Sequence, residues 1–393
     1  MPDPLRMLLR ESHLLAADDL PSTVARNARQ IGAAETVLYL VDYEQATLVP
    51  LAGADIPARD AISIEGTVAG RAFRRVEPVD SGHGDPYRLW IPLLDGVERL
   101  GVAEFVLAEQ PTDTLRADLR AFVSLVAELV ANKDAYSDFF SWARRRKALS
   151  LAAEIQWGLL PPLTFGTQRV VITGGLEPAY HIGGDSFDYA VTGAQADLMV
   201  LDAVGHGLNA AVLASVAIGA YRHARRNRLD LPEIAAEING AISTQFVGSQ
   251  FATAVLARLD VDSGQFRWIN AGHPPPIILR GSSIVALPPG PLARPLGLQD
   301  ATAEDCETRL EPGDRVLLYT DGITEARSPA GEFFGEQRLA DFISAAVAAG
   351  EPAPETVRGL MRRLLAHYED RLQDDASIVV LEWCTGGEQR LVP

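Results

Sequence analysis

Four segments of the sequence place aspartates where a predicted strand meets a turn. They are Gly183-Gly-Asp185-Ser-Phe-Asp188, Asp202-Ala-Val-Gly-His-Gly207, Tyr319-Thr-Asp321-Gly322 and Gln373-Asp374-Asp375. A single aspartate at a turn is ordinarily explained by its habit of hydrogen bonding to nearby backbone. Recurrence at four such places favours a shared acidic site.

Asp202 and Asp321 follow strands that are too apolar to face water on both sides. Their carboxylates would project from a buried sheet, where an unpaired charge is costly and a cation is the usual partner. Carboxylate oxygens select Mg²⁺ or Mn²⁺. Zinc is not supported, because Cys306 and Cys384 lie outside the acidic segments and the histidines are scattered. Cys384 also has no basic loop after it, which argues against a cysteine nucleophile.

The elements that must position these carboxylates alternate between β-rich runs and helical stretches. The predicted strands are Leu198–Asp202, Phe251–Leu259, Phe266–Ile269, Arg315–Tyr319 and Ser377–Glu382. A helix is predicted over Leu208–Arg222, where small and apolar residues recur at helical spacing. The pattern predicts a layered α+β domain over residues 163–384.

Composition bounds the partners of the protein. The chain has 393 residues and 47% hydrophobic content, enough for two domains with their own cores. Its net charge of −17 predicts no binding of nucleic acid or of anionic membrane surfaces. Two distant cysteines do not make a disulfide framework, and no targeting segment or long apolar run is present, so we expect a protein of the reducing cytoplasm.

The first hundred residues indicate a smaller mixed domain. Thr36–Asp42 is a β-branched and aromatic run, and the turn Asp95-Gly96 joins two apolar runs as in a β-hairpin. With Gly66-Thr-Val-Ala-Gly-Arg-Ala-Phe73 and the polar loop Asp80–Asp85, this order resembles a GAF sensory domain over residues 1–114. The resemblance implies an unidentified small-molecule or protein input. A domain without any ligand remains the alternative.

Residues 115–160 indicate a helical linker that ends at Pro161-Pro162. Its apolar positions alternate spacings of three and four: Phe122, Leu125, Leu129, Asn132, Tyr136, Phe139 and Ala143. This pattern predicts a parallel coiled coil and therefore a homodimer, with a continuous helix over 115–158 coupling the two domains. The alternative is that the same residues pack as the last helix of the first domain on its own sheet.

The order of motifs from about residue 150 to 384 resembles the bacterial PPM-type serine/threonine phosphatases that control sporulation and stress sigma factors. The lead-in Ala153-Glu-Ile-Gln-Trp-Gly-Leu-Leu-Pro161 precedes the four acidic segments, and two further blocks are Asn270-Ala-Gly-His-Pro-Pro275 and Glu332-Phe-Phe-Gly335. The resemblance implies an antiparallel β-sandwich flanked by helices, with two Mn²⁺ or Mg²⁺ ions at one edge.

The resemblance also implies roles for individual residues. Asp202 is similar to the carboxylate that bridges both metals, the carbonyl of Ala203 to a backbone ligand, and Asp185 to an acid that reaches a metal directly or through water. Asp321 and Asp374 resemble the other carboxylates of the second ion. Asp202 and Asp321 would thus act in catalysis through a metal-activated water.

Other residues near the motifs have weaker assignments. Asp375 would orient its loop or bind a third metal, and Asp188 would lie behind the ligands. His206 and His273 are candidate proton donors, although a structural hydrogen bond is the commoner role for histidines in such turns. Ser186 departs from the aromatic residue usual in the family.

The sequence therefore predicts a metal-dependent phosphoprotein phosphatase regulated by its N-terminal sensor. The resemblance implies a phosphorylated anti-anti-sigma factor as its substrate. The alternative is a non-catalytic adaptor that binds a phosphoprotein through a phosphatase fold. The predicted domains are residues 1–114, the linker 115–160, the phosphatase domain 161–385 and a tail, 386–393.

Overall fold

The structure is a computed structural model that divides the chain into two units, one ending at Ala148 and the other beginning at Leu149. It describes residues 4–81, 86–180, 183–246, 250–288, 290–298, 303–368, 374–386 and 391. Most of the polar loop predicted over Asp80–Asp85 lies outside these residues. Within the described ranges, no helix has both the length and the apolar character needed to span a membrane.

The N-terminal unit is an antiparallel sheet with helices. Its elements are α1 (Pro4–Ser12), α2 (Leu20–Arg29), β1 (Ala33–Val41), β2 (Thr47–Pro50), β3 (Ile62–Ser63), α3 (Val68–Arg75), β4 (Val79–Asp80), β5 (Tyr87–Asp95), β6 (Glu98–Leu107), α4 (Asp113–Asp134) and α5 (Phe139–Arg144). The sheet order is β3-β2-β1-β6-β5-β4. The predicted hairpin is confirmed: β5 and β6 pair antiparallel around Gly96, whose φ of 59° suits glycine.

Helix α4 packs on its own unit. Thr112 caps its N-terminus, since the side chain of Thr112 accepts a hydrogen bond from the amide of Leu115. Phe122, Val126 and Val130 are buried in the core that also contains the sheet residues of this unit. Tyr136, by contrast, is 66% exposed. The apolar stripe of α4 therefore stabilises the N-terminal unit from within.

The predicted continuous helix over 115–158 is wrong. Three helices occupy this part of the chain. They are α4 and α5 of the first unit and α6 (Leu151–Leu159), which lies in the second unit. The structure thus places the boundary at 148/149 and leaves no separate helical linker over 115–160. Over a few turns, spacings of three and four fit both a coiled coil and a helix packed on a sheet. The homodimer remains a prediction.

The C-terminal unit contains two antiparallel sheets. After α6, its elements are β7 (Thr164–Gly166), β8 (Val170–Glu177), β9 (Asp185–Thr192), β10 (Gln195–Ala203), α7 (Leu208–Arg226), α8 (Leu231–Gln245), β11 (Ala252–Asp260), β12 (Gln265–Ala271), β13 (Ile277–Arg280), β14 (Ser283–Val285), β15 (Cys306–Arg309), β16 (Arg315–Tyr319), α9 (Asp321–Thr324), α10 (Gly335–Ala348), α11 (Ala353–His367) and β17 (Ala376–Trp383). The sheet orders are β15-β12-β11-β10-β9 and β14-β13-β16-β17-β8-β7.

The two sheets pack face to face. Phe187 and Val200 from the first sheet share one core with Val379 and Leu381 from the second. Helices α7 and α8 cover the outer face of the first sheet, and α10 and α11 cover that of the second. Alternate side chains along each strand therefore enter either the interior of the sandwich or a helical layer. The predicted fold class, an antiparallel sandwich flanked by helices, is confirmed.

Truncating Phe122 tests the packing of α4. Phe122→Ala should lower the free energy of unfolding of the N-terminal unit by about 3 to 5 kcal/mol, because it opens a cavity in a closed core. The matched control Tyr136→Ala should change it by less than about 0.5 kcal/mol, because this ring is exposed. Denaturant unfolding and light scattering measure both. A Phe122→Ala protein with unchanged stability but a smaller oligomeric state would restore the coiled-coil interpretation.

Candidate active site

The acidic segments meet at one edge of the sandwich. Asp185 begins β9 and Asp202 lies near the end of β10, and the two residues are directly opposite each other in the antiparallel ladder. In the second sheet, Asp321 follows β16, while Asp374 and Asp375 precede the neighbouring strand β17. Antiparallel pairing thus brings residues that are far apart in the sequence to neighbouring strand ends.

A buried hydroxyl joins the two sheets at this edge. Thr320 is fully buried, and its Oγ1 donates to Asp185 Oδ2 at 2.6 Å. The same oxygen accepts a hydrogen bond from the amide of Ser377 at 2.9 Å. Thr320 therefore fixes Asp185 of the first sheet against β16 and β17 of the second. The only signal of this role in the sequence is the place of Thr320 in the Tyr-Thr-Asp-Gly segment, which does not predict a contact with Asp185.

Asp375 holds the glycine loop that precedes β9. Its Oδ2 accepts hydrogen bonds from the amides of Gly183 at 2.5 Å and Gly184 at 2.8 Å. This contact agrees with the loop-orienting role considered for Asp375. A role in binding a third metal stays a prediction.

Close backbone contacts explain two of the glycines. A Cβ atom on Gly184 would lie 2.3 Å from the carbonyl oxygen of Ala203, and one on Gly322 would lie 1.8 Å from that of Asp375. Both distances are far below van der Waals contact, so any side chain would push the acidic segments apart. The glycines allow the segments to approach through their backbones.

The carboxylates share a partly dehydrated environment. Burial, followed by the charges of Asp321, Asp374 and Asp375, raises the pKa of Asp202 to about 7. Burial and the nearby Asp202 raise the pKa of Asp185 well above its usual range, although the hydrogen bond from Thr320 opposes this. Burial, with Glu325 and Asp374, also raises the pKa of Asp321. The cluster thus lacks enough positive charge to compensate its carboxylates.

A divalent cation fits the chemistry of this cluster. The available donors are carboxylate and carbonyl oxygens, which suit Mg²⁺ and Mn²⁺. A bound cation would also offset the repulsion that raises the pKa values. In the described part of the chain, no three His, Cys, Asp or Glu side chains are already arranged as a metal cage. The ligand assignments therefore stay predictions.

Comparisons with known proteins identify relatives of this chain. Residues 192–384 match the family model of stage II sporulation protein E, SpoIIE. Protein IcfG from Synechocystis is 26% identical over 270 residues, which is 60% of this chain and 41% of IcfG. Phosphoserine phosphatase RsbU from Bacillus subtilis is 24% identical over 237 residues, 60% of this chain and 70% of RsbU. The chain thus spans less than half of IcfG.

A solved structure shows the same fold. The SiaA-PP2C domain of Pseudomonas aeruginosa superposes with a TM-score of 0.50 at 23% identity, covering 59% of this chain and 94% of that domain. The C-terminal unit carries a SpoIIE/PP2C-type domain. The recognition of this domain from its motifs is confirmed. The GAF-like resemblance of the N-terminal unit stays a prediction, because the family match lies in the C-terminal unit.

Asp188 occupies another environment in the SpoIIE/PP2C-type domain. It lies three residues after Asp185, so strand alternation directs the two side chains to opposite faces of β9. Asp188 Oδ2 pairs with Nε of Arg222 at 2.8 Å and with Nη1 of Arg225 at 3.5 Å, both on α7. The expectation that Asp188 backs the metal ligands is therefore corrected: it anchors a helix.

The two candidate histidines differ in environment. His206 is exposed in the loop before α7. His273 is buried, and its Nδ1 is hydrogen bonded to Thr253 Oγ1 at 2.7 Å. Burial lowers the pKa of His273 to about 4, so its ring is neutral at pH 7. Asn270 further fixes this turn by accepting from the amide of His273 at 2.8 Å. These contacts favour the structural role for His273.

The raised pKa of Asp202 predicts a pH-dependent stability. The folded-state pKa of Asp202 is about 7, whereas its ordinary value is 3.8. Protonation of Asp202 therefore stabilises the folded state, and this stabilisation is complete at pH values below 3.8. This contribution should be lost as pH rises from about 4 to about 7, with a slope of up to about 1.4 kcal/mol per pH unit for one group. Denaturant unfolding in a metal chelator at several pH values should therefore show a smaller slope for Asp202→Asn.

Glu237→Gln is the matched control, since Glu237 is exposed on α8 of the same unit. It should leave the slope of the wild type unchanged. Addition of millimolar Mn²⁺ at pH 7 should raise the melting temperature of the wild type, because the cation replaces the missing protons. Equal slopes for wild type and Asp202→Asn would contradict the acidic cluster as described.

The ion pairs of Asp188 predict a loss of stability without a loss of metal response. Asp188→Asn should lower the free energy of unfolding by about 3 kcal/mol, because the arginines of α7 lose their partner. Its melting temperature should still rise on addition of Mn²⁺ by as much as that of the wild type. Thermal melts with and without Mn²⁺ measure both quantities. A stable variant that no longer responds to Mn²⁺ would instead place Asp188 at the metal site.

Proposed function

We propose that the C-terminal unit is a Mn²⁺- or Mg²⁺-dependent phosphatase that hydrolyses phosphoserine or phosphothreonine on a regulatory protein. The observation that carries this proposal is the meeting of Asp185, Asp202, Asp321 and Asp374 at one edge of the sandwich. The similarity to RsbU, itself named a phosphoserine phosphatase, supports the reaction class.

In this proposal the carboxylates hold two divalent ions. Asp202 would contact both, with the carbonyl of Ala203 and Asp185 completing one set of ligands and Asp321 and Asp374 the other. When bound, such ions lower the pKa of a water molecule and stabilise charge on the phosphoryl group.

The surrounding residues of the chain keep the carboxylates in place. Thr320 restrains Asp185 by donating a hydrogen bond, and Asp375 holds the glycine loop next to it. Water reaches the cluster more easily at Asp202 than at Asp185, which is only 2% exposed. This difference agrees with Asp202 as the carboxylate nearest the substrate.

The family resemblance supports a phosphorylated anti-anti-sigma factor as the substrate and the N-terminal unit as the sensor. We propose that an input to this unit sets the phosphatase activity, and that the protein acts in the cytoplasm as a homodimer. The net charge of −17 makes nucleic acid an unsuitable partner.

Phosphate release from a phosphoserine protein such as casein tests the activity of the full chain. Wild type should release phosphate only with Mn²⁺ or Mg²⁺. Asp202→Asn and Asp321→Asn should each reduce turnover on the order of 100-fold or more, because each removes a negative ligand that holds the ions.

Glu237→Gln is again the control and should retain full turnover. A wild type that binds the phosphoprotein without releasing phosphate, with either metal present, would contradict the proposal. That result would favour the non-catalytic adaptor.

A further inference from the structure

An open cavity of about 650 Å³, most of whose lining residues are exposed, lies between α10 and α11 and includes none of the acidic cluster. Its volume falls in the range of small-molecule sites. Phe334 and Phe342 give it an aromatic lining, while Arg338, Arg363 and His367 give it basic groups. Asp341 also lines it and accepts a hydrogen bond from Gln337 at 2.8 Å. The lining thus combines apolar rings with two guanidinium groups, one carboxylate and the imidazole of His367, whose Nε2 lies 3.2 Å from the carbonyl oxygen of Glu332.

The two arginines have unequal partners. Arg338 pairs with Glu332 at 3.2 Å and donates to the carbonyl of Phe333 at 3.3 Å. Among the residues that the structure describes, Arg363 forms no ion pair, although the carboxylate of Asp341 lines the same cavity. Arg363 is exposed on α11, so its guanidinium is available to a ligand. Since Arg338 already pairs with Glu332, Arg363 is the guanidinium of the lining that remains for the anionic group of a ligand.

The aromatic part of the lining adds a second requirement. Phe334 is only 4% exposed and meets the ring of His367 edge to face, with centroids 5.7 Å apart. Phe334 is thus largely closed to solvent, and the half-buried Phe342 is the ring of the lining that a flat group can contact. An inorganic anion would leave this surface uncovered, whereas an anion with an attached ring would cover it and still reach the guanidinium groups.

We propose that this cavity binds a small organic anion that carries an apolar or aromatic ring. Arg363 binds its acidic group, with Arg338 as the second basic group of the lining, and Phe342 contacts its ring. The site differs from the acidic cluster in place and in charge. A hydrogen bond links the two sites: Tyr368, next to His367 in the chain, donates from its hydroxyl to the carbonyl of Gly322 at 3.1 Å, beside Asp321.

Binding of 2-naphthalenesulfonate to the full chain tests the proposal. This probe carries a ring and a permanent negative charge, and its sulfonate is not a phosphatase substrate. Calorimetry in a metal chelator should show one site per chain with a dissociation constant on the order of 1 mM or below. Because neither metal nor phosphoprotein is present, the result is independent of the proposed phosphatase activity.

Variants and control ligands assign the binding to the cavity. Arg363→Gln should weaken binding of the probe about tenfold, and so should Phe342→Ala. The matched control Arg362→Gln, one residue away on α11 and outside the lining, should bind as the wild type does. Neutral 2-naphthalenemethanol and inorganic sulfate should each bind more weakly than the probe.

Thermal melts of the variants keep the test decisive. Arg363 is exposed, so Arg363→Gln should melt as the wild type does and cannot lose binding through unfolding. The proposal is overturned if the probe does not saturate a single site, if Arg363→Gln binds it as well as Arg362→Gln does, or if the neutral ring binds equally well.

Discussion

Repulsion between carboxylates at the edge of the sandwich is the constraint on which the C-terminal unit depends. Asp185 and Asp202 lie directly opposite each other on the neighbouring strands β9 and β10, and burial raises the pKa of both. Such an arrangement is unfavourable by itself, so the surrounding fold must hold it together. The sandwich core supplies the stability, because its two sheets pack through large side chains such as Phe187 and Leu381. Without a bound cation, the charged carboxylates of the acidic edge lower the stability of the folded state.

Hydrogen bonds from a hydroxyl group and from backbone amides oppose that repulsion. Hydrogen bonds from Thr320 to Asp185 and from the glycine amides to Asp375 give the carboxylates donors without adding positive charge. Arginines are used elsewhere: Arg222 binds Asp188 on the opposite face of β9 and donates to the carbonyl of Leu159 at 2.5 Å. The protein thus compensates charge on the helical side of the strand and leaves it uncompensated on the other. A cation is the natural complement of the uncompensated side.

Local patterns predicted the acidic segments, because an apolar run followed by an aspartate and a glycine is visible in a few residues. The hairpin at Gly96 and the helix at α7 were predictable for the same reason. The role of Thr320 was not, since its partner Asp185 is 135 positions away and the pairing depends on how two sheets pack. The motif alone places Asp188 beside the metal ligands, but the alternation of side chains along β9 directs it to the opposite face, toward Arg222. The choice between a coiled coil and a helix packed on its own sheet likewise depended on long-range packing, because the apolar residues of α4 share a core with the sheet of the N-terminal unit.

The division of residues 115–160 changes how a signal would reach the acidic edge. Residues 145–150 are not helical, so a rotation of one continuous helix is not available. Helix α6 instead belongs to the C-terminal unit: its cap residue Ser150 donates from its amide to the carbonyl of Tyr180, and Trp157 donates to that of Ala179. The end of α6 meets Arg222, which also binds Asp188 on the strand that begins with Asp185. A displacement of α6 would therefore act on β9 through Arg222, which donates to the carbonyl of Leu159 and pairs with Asp188.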